Sequence, residues 1–491
     1  MNKPIRTISV FCLLLFLALM INATYLQYYR AGALENDSRN RRVLAASFSG
    51  DRGAILVGDG REAVAESVAS DDQYEFQRRY PQPFKYSHVT GWFSYFSQTG
   101  VEESQNDVLS GDDSLLFVTR LVDLLSNSTP KGGSVQLTLD PAAQDAAFAG
   151  LEAVPGDAEG AVVALEPSSG KILAMVSSPS YDPNLLASHD FGEVSDTAKR
   201  LGAEESEPLL NRAIQTTLPP GSTFKIVTAA AALESGNYAG PDALVPGGPT
   251  YQLPLTSGES GLIDNEGRAC GTDRIPFHQA MEQSCNTSFA ALADELGADA
   301  MHEQAEAFGW NSDYLEDPPL QAKSAYPEGM DAAQTALSGF GQSSVTATPL
   351  QMAMVVAGVA NGGTVMRPYS VDEVRSPELD ILDKTEPEEL SQAVSAATAE
   401  DLKEMLVSTV ANGTASPAAI PGVDVGGKTG TAESGQPGVA PYAWFVGFAP
   451  ADDPEVAVAV MIEKADIPRG EIAGGLIGGP IAKSVMEAVM R

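Results

Sequence analysis

The chain has 491 residues, too many for one ordinary domain and enough for two to four. Its 43% apolar and 19% charged side chains are those of a globular protein, but 65 acidic against 30 basic residues leave a net charge of -35. Such a surface repels phosphate backbones and argues against nucleic acid as a partner. Acidic stretches such as 202–210 and 384–393 lie between apolar segments and read as solvated loops or helix faces.

From Thr7 to Leu26 no side chain is charged, and a helix of that length spans about 30 Å, the hydrocarbon thickness of a bilayer. Lys3 and Arg6 precede this run, so the positive-inside rule leaves residues 1–6 in the cytoplasm and exports the rest behind an uncleaved, single-pass anchor. The competing reading is a cleaved signal peptide, but the apolar run is long for one. In an exported chain cysteines are often paired. Cys12 lies within the span, which leaves Cys270 and Cys285; a disulfide and two buried free thiols both remain open. His88, His189, His278 and His302 have no metal-ligand spacing, so no metal or other cofactor is expected.

After the anchor, short alternating segments from about residue 50 suggest a small β-rich unit, with the aromatic run "YPQPFKYSHVTGWFSYF" (80–96) supplying much of its core. A linker signal, "SNSTPKGG" (126–133), precedes a strand, a turn at Asp140-Pro141 and an alanine-rich helix. The expected division is an N-terminal unit over 27–155 and a second domain over 156–491. The second domain opens with two apolar strands joined by "EPSSGK" and closes with "AWFVGFAP" and "EVAVAVMIEK" before a last helix. Strands at both ends with helices between them predict one α+β domain whose terminal segments share a mostly antiparallel sheet.

Three short motifs carry chemistry. Ser222-x-x-Lys225 sits in "PPGSTFK": the prolines forbid helix before it, Gly221 permits a sharp turn, and "IVTAAAAL" lets a helix begin at the serine. Lys225 would lie on the same face within reach of the hydroxyl, and a buried amine with a lowered pKa can take a serine proton. The same spacing at Ser168 to Lys171, inside the "EPSSGK" turn, warns that spacing alone decides nothing. Ser284-x-Asn286 offers a hydroxyl for proton relay and an amide to orient the lysine or a peptide; Ser38 to Asn40 and Ser104 to Asn106 repeat the pattern by chance. Lys428-Thr429-Gly430, in "GGKTGTAE", reads as an edge strand able to pair with a peptide. Lys428 and Thr429 would meet a carboxylate, and the Thr431 N–H with that of Ser222 would form an oxyanion hole. Each motif alone is most simply a cap, a loop or a turn.

Together, in this order, they resemble the class B penicillin-binding proteins, closest to the actinobacterial penicillin-binding protein A type. "RGAIL", "LTLDPAAQ", "NRAIQTTLPPGSTFK", "SCNTSF", "GFGQSSVTATPLQMAMVVAGVANGG" and "AWFVGFAP" extend the resemblance over nearly the whole chain. It implies a pedestal (dimerisation-like) domain and a transpeptidase domain with a five-stranded antiparallel sheet, flanking helices and an all-helical subdomain. It implies a peptidoglycan D,D-transpeptidase without glycosyltransferase activity, with Ser222 as the acylated nucleophile amid Lys225, Ser284, Asn286 and Lys428, and with Thr429, Gly430 and Thr431 on the substrate-binding strand. The implied partners are stem peptides, with a D-Ala-D-Ala donor and an amine acceptor, together with β-lactams, the membrane and divisome proteins, in a role at division. The alternatives are a β-lactamase, against which the Cys285 within Ser-x-Asn argues, and a non-catalytic β-lactam sensor or scaffold.

Overall fold

The computed structural model describes residues 3–30, 48–116, 131–156, 158–318, 320–434 and 439–491. Ser38 to Asn40 and most of the linker at 126–133 lie outside them. An apolar helix, Lys3–Thr24, continues to Tyr29 and is long and apolar enough to cross a membrane.

The sheet at the centre of the C-terminal domain has five strands, numbered here in chain order: β1 Glu159–Leu165, β2 Ile172–Ser178, β3 Gly426–Ala432, β4 Tyr442–Ala449 and β5 Val456–Lys464. Their spatial order is β3-β4-β5-β1-β2, and every neighbouring pair is antiparallel. The expected pairing of the first and last strands is the β5-β1 contact.

Period-two alternation divides β5 between two cores. Val456, Val458, Val460 and Ile462 pack with the helices Pro141–Glu152 and Gly474–Val489. Ala457, Ala459 and Met461 face the opposite layer, where the helix Pro349–Ala360 buries all of its residues. A strand hydrophobic on both sides is what a sheet covered on both faces demands. The helical side also carries the helices Lys225–Glu234, Asn286–Leu296 and Ala396–Asn412, and two-stranded ladders such as Thr250–Gln252 with Leu262–Asp264. Strand β3 is an edge, so one of its sides is left for the turn that carries Ser222 and for the cleft.

The N-terminal sheet is not made from the N-terminal segment alone. Its six strands run in the order 381–384, 371–375, 134–137, 55–57, 62–69, 76–79, so two come from within the expected second domain. The helix Pro141–Glu152, placed by sequence at the end of the N-terminal unit, instead packs on the five-stranded sheet. Of the aromatic run, Tyr80, Tyr86 and Phe93 enter the core while Phe84 and Phe96 stay exposed.

Inside this unit Glu102 is buried between two arginines. It accepts from Arg52 Nε at 2.6 Å and from Arg78 Nε at 2.6 Å, and the Tyr80 hydroxyl donates to it at 3.1 Å. Burial alone would push the Glu102 carboxyl up, but Arg78 and Arg52 outweigh it and hold it below the usual range. Asn106, from the chance Ser-x-Asn match at Ser104, accepts from Arg52 Nη1 and so belongs to this structural network. Replacing Glu102 by Ala strands two buried guanidinium groups, and a loss of about 3–5 kcal/mol of stability is expected. Denaturant titration of wild type and variant measures it; a change below about 1 kcal/mol would show that water or a local shift replaces the pair.

Candidate active site

Three segments from distant parts of the chain meet at one cleft. In the first, Gly221 has φ +54, and a Cβ there would approach the Thr431 carbonyl oxygen to 2.9 Å. Its backbone N–H donates to the Gly341 carbonyl at 3.1 Å. Ser222 lies in the 3-10 turn Gly221–Phe224, and the α-helix proper starts at Lys225. This differs slightly from the expected start at the serine: the Thr223 hydroxyl bonds back to the Pro220 carbonyl at 2.7 Å and tightens the first turn.

The second segment is the turn between the helices Phe277–Glu282 and Asn286–Leu296. Ser284 adopts φ +55, a left-handed conformation uncommon for a residue with a Cβ. The turn directs both its carbonyl and its hydroxyl at Lys225. The Lys225 Nζ donates to Ser284 O at 2.8 Å and to Asn286 Oδ1 at 2.8 Å, and it lies within hydrogen-bond distance of Ser284 Oγ at 3.1 Å.

The third segment is edge strand β3. Lys428 Nζ donates to Ser284 Oγ at 2.8 Å and to the Thr429 carbonyl at 3.1 Å. At Gly430 a Cβ would stand 3.0 Å from the Pro220 carbonyl oxygen, so a larger residue would push the strand off the nucleophile's turn. Ser222, Ser284, Asn286, Thr429 and Thr431 line one open cavity of about 440 Å³. A larger cavity of about 1340 Å³ near the N-terminal unit contains none of these groups.

Both lysines are fully buried. Burial, then the neighbouring Lys428 and Arg268, hold the Lys225 amine well below its usual range. Burial and Arg268 bring Lys428 down to about 7. A neutral Lys225 has two N–H donors and one lone pair. Two of its three contacts, the Ser284 carbonyl and the Asn286 amide oxygen, can only accept, so they take the two hydrogens and the lone pair remains for a hydroxyl. The cleft thus holds the Ser222 hydroxyl, a buried amine one turn after it and a second hydroxyl placed between two amines, a set of groups able to support nucleophilic chemistry at a serine.

Every residue expected at the site converges on it. Cys270 and Cys285 are joined by a disulfide, which closes the question left open by the sequence. The decoy at Ser168 does not converge: it lies in the β1-β2 turn, where Lys171 pairs with Asp372 at 3.1 Å. Sequence reasoning missed the loop 262–270, which brings Asp264, Glu266 and Arg268 to the cleft, and Phe340 and Gln342 beside Gly341. The disulfide was the available signal, since pairing Cys270 with Cys285 places the residues before Cys270 next to Ser284.

Comparison with known proteins agrees with this geometry. Residues 160–487 match the family model of the penicillin-binding protein transpeptidase domain, and residues 52–135 match that of the penicillin-binding protein A dimerisation domain. The peptidoglycan D,D-transpeptidase PbpA of Mycobacterium tuberculosis is 42% identical over 500 residues, covering 100% of this chain and 99% of the relative. That of Mycolicibacterium smegmatis is 40% identical over 496 residues, with the same coverage. Penicillin-binding protein A from M. tuberculosis, solved as its ceftriaxone acyl-enzyme complex, superposes with a TM-score of 0.85 at 40% identity, covering 91% of this chain and 100% of that one. Its penicillin G acyl-enzyme complex gives 0.83 at 41% identity, over 90% of this chain and 100% of the other. With two family models in the expected order and full-length relatives above 30% identity, the chain belongs to the penicillin-binding protein transpeptidases, of the penicillin-binding protein A type.

Proposed function

We propose that the protein is a peptidoglycan D,D-transpeptidase that works through an acyl-enzyme at Ser222 and that β-lactams acylate at the same atom. The observation that carries this reading is the Ser284 hydroxyl held between the amines of Lys225 and Lys428 in the cavity that Ser222 also lines.

In the first half-reaction Ser222 Oγ attacks the carbonyl of the penultimate D-alanine and its proton passes to neutral Lys225. The oxyanion meets the N–H groups of Ser222 and Thr431. As the C–N bond breaks, the proton moves through Ser284 to the nitrogen of the departing D-alanine, so both charges formed in the step are neutralised within the cleft. In the second, the acceptor amine attacks the ester, gives up a proton along the same path, and Ser222 leaves with it. Asn286 holds Lys225 and faces the donor peptide, while Thr429 and Thr431, on a strand free on its cleft side, bind the donor's terminal carboxylate. The N-terminal helix anchors the enzyme as a single-pass protein, with Lys3 and Arg6 on the cytoplasmic side and the catalytic domain outside. The packing of the helix Pro141–Glu152 favours ending the N-terminal unit near 140. A role at division, with divisome partners, rests on the family resemblance.

Fluorescent penicillin should label the protein covalently and persist for many minutes, and Ser222→Ala should abolish the label. Rapid release of hydrolysed drug would make the protein a lactamase, and label retained in Ser222→Ala would remove Ser222 from its assigned role. As pH drops through about 7 Lys428 gains its proton, its positive field makes neutral Lys225 a weaker base, and the acylation rate should fall. The pH profile of the second-order acylation constant measures this. A rate independent of pH from 5 to 9 would argue that neither amine carries the proton. Lys225→Ala should reduce the constant by at least about 10³-fold, as loss of a general base and its positioning does.

A further inference from the structure

Another part of the cleft wall is the segment 262–270, where the strand Leu262–Asp264 leads into a loop pinned at Asn265 and at Cys270. Asn265 is buried; its amide donates to the Gly248 carbonyl at 2.8 Å and the Thr287 hydroxyl at 3.0 Å, while its oxygen accepts from the Thr287 N–H at 3.0 Å. The disulfide fixes Cys270 to the residue between Ser284 and Asn286. Arg268 sits between these anchors and lines the same cavity as Ser222. Its Nε donates to the Asn265 carbonyl at 2.8 Å and its Nη2 meets Glu266 at 3.3 Å. Among the described residues Nη1 has no hydrogen-bond partner.

Among the described residues Arg268 is the one cation lining this cavity, which it shares with Asp264, Glu266 and Glu433. The amines of Lys225 and Lys428 are buried behind Ser284, committed to it and to their other acceptors. Glu433 already pairs with Arg469 at 2.7 Å on its own side. Away from the hydroxyls of β3, a carboxylate entering this cleft on a chain of net charge -35 therefore meets acidic side chains at Asp264, Glu266 and Glu433 and one positive charge, at Arg268.

We propose that Arg268 is a specificity-determining residue that binds a second carboxylate, carried by the donor portion of the ligand, in the cavity it shares with the strand that takes the terminal carboxylate. The inference rests on the acyl-enzyme reading above. A guanidinium fork matches a carboxylate in shape, and its remaining protein partner, Glu266, is 73% exposed and therefore a weak, screened competitor. The pinned loop means that little reorganisation accompanies binding. Ligands with an anionic acyl side chain are thus selected over neutral ones of the same shape.

Benzylpenicillin and its α-carboxy analogue carbenicillin form a matched pair for the test. Second-order acylation constants are measured on the full-length protein in detergent for wild type, Arg268→Gln and Arg268→Lys. Arg268→Gln should lower the carbenicillin constant about ten-fold relative to that of benzylpenicillin, as loss of one charge-assisted contact does. Arg268→Lys should restore part of the preference, and the wild-type preference should shrink as salt rises. An unchanged ratio overturns the proposal, whether both constants hold or both fall together; in the second case Arg268 acts only through its field on the two lysines. The benzylpenicillin constant serves as the internal check on folding. A wild-type protein that benzylpenicillin fails to acylate would overturn the acyl-enzyme reading, and the proposal with it.

Discussion

Two amines buried behind one serine hydroxyl set the terms for this site. A buried ammonium group loses its hydration, and a second one nearby adds repulsion, so Lys225 and Lys428 cannot both remain charged at ordinary cost. The fold answers with acceptors at fixed positions: the Ser284 carbonyl and hydroxyl, the Asn286 amide oxygen and the Thr429 carbonyl. These satisfy the N–H groups of neutral amines without supplying a carboxylate that would hold the protons in place. The left-handed backbone at Ser284 follows from the same need, because one residue must offer two oxygens to one amine.

Holding the three segments together requires backbone contact at closer range than side chains allow. At Gly221 the nucleophile's turn rests against Thr431, and at Gly430 strand β3 rests against Pro220. The two contacts are reciprocal, and a side chain at either glycine would force the facing backbone to shift. Strand β3 can meet the turn because it is the edge of the sheet, and its other side is fixed by seven-residue pairing with β4. Ser222, Ser284 and strand β3 thus share one frame, the condition that the proposed acyl-enzyme chemistry needs.

Much of this was legible in the chain before any coordinates. Proline, proline and glycine ahead of Ser222 stated where a helix could not begin, and the apolar segment "EVAVAVMIEK" stated a strand that returns to the sheet opened by 160–184. The three motifs named the groups that converge. Sequence gave no sign that 371–375 and 381–384 cross back to complete the N-terminal sheet, because pairing between distant strands leaves no periodic trace in either. Nor did it mark Arg268, whose loop has neither strand nor helix period and owes its position to Asn265 and one disulfide. The positive φ at Ser284 was also hidden, since serine is not the residue that normally signals it.

The same chemistry bears on stability. A lysine whose folded pKa lies below its unfolded value leaves the unfolded chain holding more protons between the two, so stability rises with pH across that window. For Lys428 the window runs from about 7 to the ordinary value of 10.5, and below it the full penalty, on the order of 5 kcal/mol, is in force. That is comparable to the whole net stability of a typical domain. At neutral pH this cost is nearly complete, and there Lys428 is near its own midpoint. Two buried cores, one on each face of a single sheet, are what make so expensive a site sustainable. The active site therefore depends on the thickness of the domain as much as on the residues that line the cleft.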